Sequence, residues 1–327
     1  MNMVTKFRAV QLKNTRSLLL RLLDTPDAGI IDSLRSSVAG TILEVVYGYN
    51  VASADDYFLQ TTERSMTTFI ETVQPGKFLV ETFPPLRHIP SWFSGAGFKR
   101  LAEQWRIATI EMVERPFDWA NPSIVASMMQ KISDQEEKLA YESEMIMKSA
   151  VAIASIGGTD TSRSAIPLFI LSTAMHPSVQ QKRKQKLILS SGLSVFQISV
   201  IGIHYLITIL HDPTIYPDPF EFKPERFIKD GKSNHDVLDP YEVVFGHGRH
   251  VCPGRHFAKD TLFIIAASIF ATFNITAPLD GDGKPQTLVY EMTDGMISSP
   301  KPFDCVIKPR SKAAAELIRD TQSTLLS

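Results

Sequence analysis

Of the two cysteines in this chain, Cys252 and Cys305, only the first has neighbours suited to chemistry. It lies in the run Phe245-Gly246-His247-Gly248-Arg249-His250-Val251-Cys252-Pro253-Gly254-Arg255-His256-Phe257-Ala258, ahead of a strongly apolar helical stretch. Gly246, Gly248 and Gly254 let a backbone turn tightly and approach a flat ligand, and Pro253 suits a turn that opens a helix. A cysteine at such a helix start has its thiolate favoured by the helix dipole and by the nearby cations Arg249 and Arg255. A thiolate of this kind can donate electron density to a haem iron and promote O–O cleavage. Two other readings stand beside that one. The run could be a glycine-rich surface turn that holds a small apolar cysteine, or His247, His250, Cys252 and His256 could be zinc ligands. Against zinc, a single residue separates His250 from Cys252, a spacing that seldom lets both face one ion, and no second ligand pair of finger spacing occurs elsewhere.

A second constellation, Gly157-Gly158-Thr159-Asp160-Thr161, sits inside the longest helical signal of the chain. That signal is predicted to open at Ser133, which has capping-box spacing to Glu136, and to run to Met175 before His176-Pro177 stops it. Such a helix is roughly 60 Å long, enough to cross a domain. Gly157 and Gly158 each cost it about 1 kcal/mol relative to alanine, and Pro167 costs more, so a local distortion is expected there. Two glycines also leave room for a small molecule beside the helix. Thr161 could then hydrogen-bond bound oxygen and Asp160 could feed protons inward. Taken alone, the same five residues also read as packing with a polar patch.

Together these segments resemble the cytochrome P-450 family, whose signature is Phe, two residues, Gly, one residue, Arg, one residue, Cys, one residue, Gly. Phe245, Gly248, Cys252 and Gly254 match in register. His250 stands where most members have the arginine that pairs with a haem propionate, as it does in some members, and a neutral histidine there gives a weaker, pH-dependent contact. Gly157 to Thr161 is similar to the family's oxygen-activation motif. Leu210-His211-Asp212-Pro213, Tyr216-Pro217-Asp218-Pro219 and Pro224-Glu225-Arg226-Phe227 resemble the stretch that precedes its cysteine loop. The likeness extends more weakly from about Phe7 to Ser311 and is closest to fungal members, which points to secondary metabolism.

The resemblance implies a mainly α fold with a small β region, formed by residues 1–327 as a single cytochrome P-450 domain. It implies haem b, its iron held by Cys252 and its surroundings formed by Phe245, Gly248, Arg249, His250 and Gly254. It further implies dioxygen activation beside Gly157, Gly158, Asp160 and Thr161, electrons from an NADPH-dependent reductase, and one oxygen atom inserted into a small apolar substrate. The family usually sits at the endoplasmic-reticulum membrane. With no apolar leader apparent in the first twenty residues, the chain is expected to be cytoplasmic or peripheral.

The same comparison marks gaps. Between Pro177 and His211 the family has several helices, a Glu-x-x-Arg motif and most of its main sheet, and here only a basic cluster and an uncharged stretch fill that interval. Glu103 with Arg106 and Glu316 with Arg319 have the motif's spacing but lie elsewhere, so Arg226 is expected to lack its family partner. The domain is accordingly expected to be incomplete, truncated at its start and internally deleted, with weak haem retention and little turnover. A non-catalytic remnant is the alternative that follows. Residues 187–210 are long enough for a membrane span, a reading that would separate Thr161 from Cys252 across a bilayer.

Composition sets wider bounds. The chain has 327 residues, 44% of them hydrophobic, enough for a sizeable core. A formal net charge of -1 leaves no global field to draw in nucleic acid. Two cysteines in such different settings argue against a structural disulfide.

Overall fold

The computed structural model describes residues 3–25, 29–51, 53, 55–72, 76–119, 123–133, 137–181, 209–230, 232–293 and 298–323. The stretch 187–208 of the candidate membrane span therefore lies outside the described residues. Among the described residues no helix is long and apolar enough to cross a membrane.

Helices dominate. They are α1 (Met3–Asp24), α2 (Ile30–Tyr47), α3 (Tyr57–Thr72), α4 (Leu79–Thr82), α5 (Gly97–Glu114), α6 (Ile124–Ser133), α7 (Glu137–Met175), α8 (Pro177–Gln181), α9 (Tyr241–Val244), α10 (Arg255–Thr272) and α11 (Lys312–Ser323). Among the described residues two antiparallel pairs supply the small β region: β1 (Ile228–Lys229) with β2 (Lys232–Ser233), and β3 (Phe273–Thr276) with β4 (Val306–Pro309). The chain divides into two compact units, Met1–Thr41 with Gly158–Ser327, and Ile42–Gly157.

In the first unit α1 lies along α10 and α11. Leu18 and Leu22 recur at helical spacing and are almost wholly buried, while the polar positions of α1 grip α10. Arg8 Nε donates to Asp260 Oδ2 at 2.8 Å. Gln11 Nε2 donates to Phe257 O at 3.1 Å and to Thr261 Oγ1 at 2.7 Å. The run 165–171 near the C-terminal end of α7 is apolar on all sides and buried, as a helix sunk in a core must be. Its Phe169 meets Phe270 of α10 edge to face, with centroids 4.7 Å apart. Strand β3 continues from α10 and pairs with β4 in the register Asn274 to Lys308 and Ile275 to Ile307. The other edge of β3 is met by a side chain, since Gln180 of α8 donates through Nε2 to Ile275 O and accepts from Ile275 N at 3.0 Å.

In the second unit Leu43, Tyr47, Phe58, Val125, Met147 and Val151 form one apolar cluster. Asp56 starts α3 by accepting from the backbone N–H of Phe58 at 3.0 Å and of Leu59 at 3.4 Å, the N-cap role expected of aspartate. Burial pushes the Tyr49 hydroxyl up to about 12, helped by the Asp56 carboxylate that accepts its hydrogen at 2.8 Å.

The structure corrects the predicted start of the long helix. Ser133 is the last residue of α6, and its Oγ donates back to Gln130 O at 2.8 Å, so it closes one helix instead of capping the next. Helix α7 then runs for 39 residues without interruption through Gly157, Gly158 and Pro167, so the expected distortion does not break it. Helices α5, α6 and α11 were not anticipated.

Candidate haem-thiolate site

The cysteine loop is shaped by its own backbone. Helix α9 ends at Val244, and the carbonyl of the next residue, Phe245, accepts from Cys252 N at 2.7 Å and closes the loop. Within it Gly246 and Gly248 have φ of +71° and +58°, values that L side chains rarely adopt. A Cβ on Gly246 would stand 3.1 Å from His250 O, so this glycine also allows a close crossing of backbone. Residues 248–250 form a 3₁₀ turn, Pro253 follows in an exposed turn, and Gly254 precedes the first residue of α10.

Cys252 is half-buried and its thiol is free. It sits three residues before an 18-residue helix, whose N-terminal dipole favours negative charge. Arg255 Nη1 donates to Cys252 O at 3.2 Å, which holds one cation over the loop, whereas Arg249 is exposed. Gly254 leaves the sulfur uncovered on its side, where a Cβ would come within 3.8 Å of Sγ. Phe245 is half-buried and tilts against Tyr241 at 4.9 Å.

The histidines do not join this sulfur. His247, His250 and His256 are all exposed, and His256 Nδ1 instead lies 3.3 Å from Tyr241 Oη. No group of three or more His, Cys, Asp or Glu among the described residues is placed to hold a metal ion. Zinc needs three or four protein ligands. A haem iron takes its in-plane ligands from the porphyrin and can be held by a single thiolate, so the donor set fits haem and not zinc.

On α7 the residues of the second motif point in different directions. Thr159 and Asp160 are buried, and Thr159 Oγ1 has no hydrogen-bond partner among the described residues. Gly157 and Thr161, four residues apart, share an exposed face, and open space surrounds the position a Gly157 side chain would take. The same face continues toward the N-terminus through Ile153 and Ile146, each 70% exposed. Sequence reasoning missed these two isoleucines. Counting back four and eleven positions from Gly157 would have placed them on its face.

Arg226 donates to four main-chain carbonyls: Lys223 O at 3.2 Å, Pro217 O at 2.8 Å, Asp218 O at 2.9 Å and Glu221 O at 3.2 Å. No carboxylate among the described residues accepts from it. Glu103 and Arg106 pair with each other on the exposed surface of α5 at 2.7 Å.

Comparison with known proteins agrees with this geometry. The family model described as cytochrome P450 matches residues 200–304, which contain the cysteine loop. Cytochrome P450 monooxygenase COX2 of Coprinopsis cinerea is 32% identical over 376 residues, covering 98% of this chain and 71% of the relative. The chain belongs to the cytochrome P450 family. Tryptamine 4-monooxygenase of Psilocybe cyanescens is 32% identical over 365 residues, with 94% of this chain and 71% of that protein covered. Cytochrome P450 monooxyhenase eriA of Hericium erinaceus is 33% identical, with 93% and 68% covered. The alignment to the Coprinopsis relative is longer than this P450 chain itself, so that relative carries residues this chain lacks. As a cytochrome P450 the chain is an oxidoreductase of the haem-thiolate monooxygenase class, acting on organic substrates with electrons from a redox partner. Neither a zinc module nor a non-catalytic remnant is favoured by these relatives.

Proposed function

We propose that this chain is a monooxygenase in which Cys252 holds the haem iron and the exposed face of α7 around Gly157 and Thr161 holds dioxygen and an apolar substrate. Bound haem would supply the site at which dioxygen is reduced, one oxygen atom passing to the substrate and the other leaving as water. The observation that carries the reading is the half-buried free thiol of Cys252, closed into a two-glycine loop just ahead of α10. Phe245, Gly248 and Gly254 keep that loop narrow, while Arg249 and His250 offer exposed cationic or hydrogen-bonding groups to the cofactor's propionates. On α7, Gly157 and Gly158 leave room beside the helix. Thr161 would offer a hydrogen bond to dioxygen held at the site and Asp160 would supply protons, the general-acid work the reaction needs.

Both compact units belong to one domain in this reading, because α2 and α7 each run unbroken from one unit into the other. The electron donor is an NADPH-dependent reductase. A relative that oxidises tryptamine makes small aromatic amines reasonable first substrates to try. We further place the chain peripherally at an endoplasmic-reticulum surface. Leu79, Phe83 and Trp92 are 73%, 61% and 80% exposed, beside exposed Lys77 and Arg87. Apolar and basic groups of this kind suit an interfacial seat.

The reading is tested by haem protection. Haem should block alkylation of Cys252 stoichiometrically, and continued labelling of Cys252 with haem fully bound would refute the assignment. Thr161→Ala should leave the haem spectrum intact yet divert reducing equivalents to hydrogen peroxide. An unchanged product yield per reductant would remove Thr161 from the reaction.

A further inference from the structure

At the C-terminal end of α7 lies a recess of about 160 Å³ that the monooxygenase reading does not use. Met175 at the end of α7, His176 just after it, the rings of Phe220 and Phe222, and Arg226 are among its walls. An apolar cavity of about 150 Å³ holds one benzene ring, so a single six-membered ring is what this recess can enclose. Its walls suit such a ring. Phe222 is backed by the imidazole of His176 at 5.0 Å, and Phe220 by that of His211 at 4.8 Å. Phe220 is 86% exposed, so a ligand covering it would remove apolar surface from water.

The polar groups select among ring compounds. His176 Nδ1 lies 2.8 Å from Ser172 O, and a carbonyl only accepts. The hydrogen of the neutral imidazole is therefore on Nδ1, and Nε2 is a bare acceptor. Arg226 has five N–H donors, of which its four bonds to main-chain carbonyls leave one, on Nη1. Lys223 lies 2.6 Å from Asp218 and 2.8 Å from Glu221, so its charge is matched, while Arg226 bonds only main-chain carbonyls and keeps its charge among them. Ser172, Tyr290, Glu221 and Lys223 also line the recess, and His176 Nε2 as acceptor with Arg226 Nη1 as donor suits a hydroxyl, which can give and take a hydrogen bond, better than a carboxylate, which can only accept.

We propose that this recess binds a small neutral phenol, its ring against Phe220 and Phe222, its hydroxyl donating to His176 Nε2 and accepting from Arg226 Nη1. Calorimetric titration of the full chain with phenol, toluene and benzoate tests it. Phenol should bind at least about tenfold more tightly than either of the others, since neither can both give and take a hydrogen bond there. His176→Phe keeps the ring and removes the acceptor. It should erase the preference over toluene, while His176→Gln, which carries a carbonyl, should restore part of it. Met175→Trp fills the recess and should abolish binding of all three, whereas Ile153→Trp on the face proposed for substrate should leave phenol binding unchanged. Equal or tighter binding of toluene or benzoate by the wild-type chain would overturn the proposal, whatever the variants do. So would loss of phenol binding in Ile153→Trp with retention in Met175→Trp.

Discussion

Gly246 and Gly248 look alike in the sequence, and the structure separates them. Both have positive φ, which costs an L side chain roughly 1–2 kcal/mol. A methyl on Gly248 meets nothing within 4 Å, whereas one on Gly246 meets the His250 carbonyl at 3.1 Å. Gly248→Ala should therefore lose about 1 kcal/mol and Gly246→Ala at least about 2 kcal/mol, with weaker haem retention. Denaturant midpoints and haem off-rates check this, and equal losses would show that crowding at Gly246 does not matter. The two cysteines also part company. Burial, reinforced by Asp304, pushes the Cys305 thiol up to about 12 from an ordinary 9.0. At pH 8 iodoacetamide should thus label Cys252 in the haem-free chain and spare Cys305. The folded chain keeps the Cys305 proton where the unfolded chain releases it. The associated stability is complete below about pH 9 and is lost as pH rises toward 12. Thermal midpoints of wild type should fall more steeply than those of Cys305→Ala between those limits, and parallel curves would contradict it.

Among the elements, those with a buried stripe could be read from sequence. The leucines of α1 and the apolar run of α10 give them away, and both ends of the cysteine loop were placed by glycine and proline. Helices α5 and α11 escaped notice because little of either is buried. Of the 18 residues of α5 only Ala108 and Met112 are buried, and of α11 the one residue seen buried is Ile318. Spacing alone also misassigned Ser133, because serine ends helices through its own i−3 carbonyl as readily as it starts them. No pattern in the sequence announces the Gln180 clamp, since its partner is the main chain of a strand 95 residues away. Its removal has a definite cost. Gln180→Leu leaves the buried N–H and C=O of Ile275 without that partner, and should destabilise the chain by about 3 kcal/mol in chemical denaturation. A loss under about 1 kcal/mol would mean that water or another group takes the place of the amide.

For the whole molecule, the family, the mainly α fold and the haem-thiolate chemistry were legible because one loop and one helix carry them in short, specific strings. The distribution into two compact units was not, since α2 and α7 each run on from one unit to the other without a break in the helix. Directions around α7 were only half legible. The motif named Asp160 and Thr161 together, and only the fold shows one buried and the other exposed. Every step of the account depends on Cys252 being the iron's ligand. The direct measurement is the absorption spectrum of the haem-loaded chain, reduced under carbon monoxide. The account predicts a red-shifted, thiolate-type Soret band that disappears in Cys252→Ala. A histidine-type band in the wild-type chain, or a thiolate-type band that survives Cys252→Ala, would contradict it.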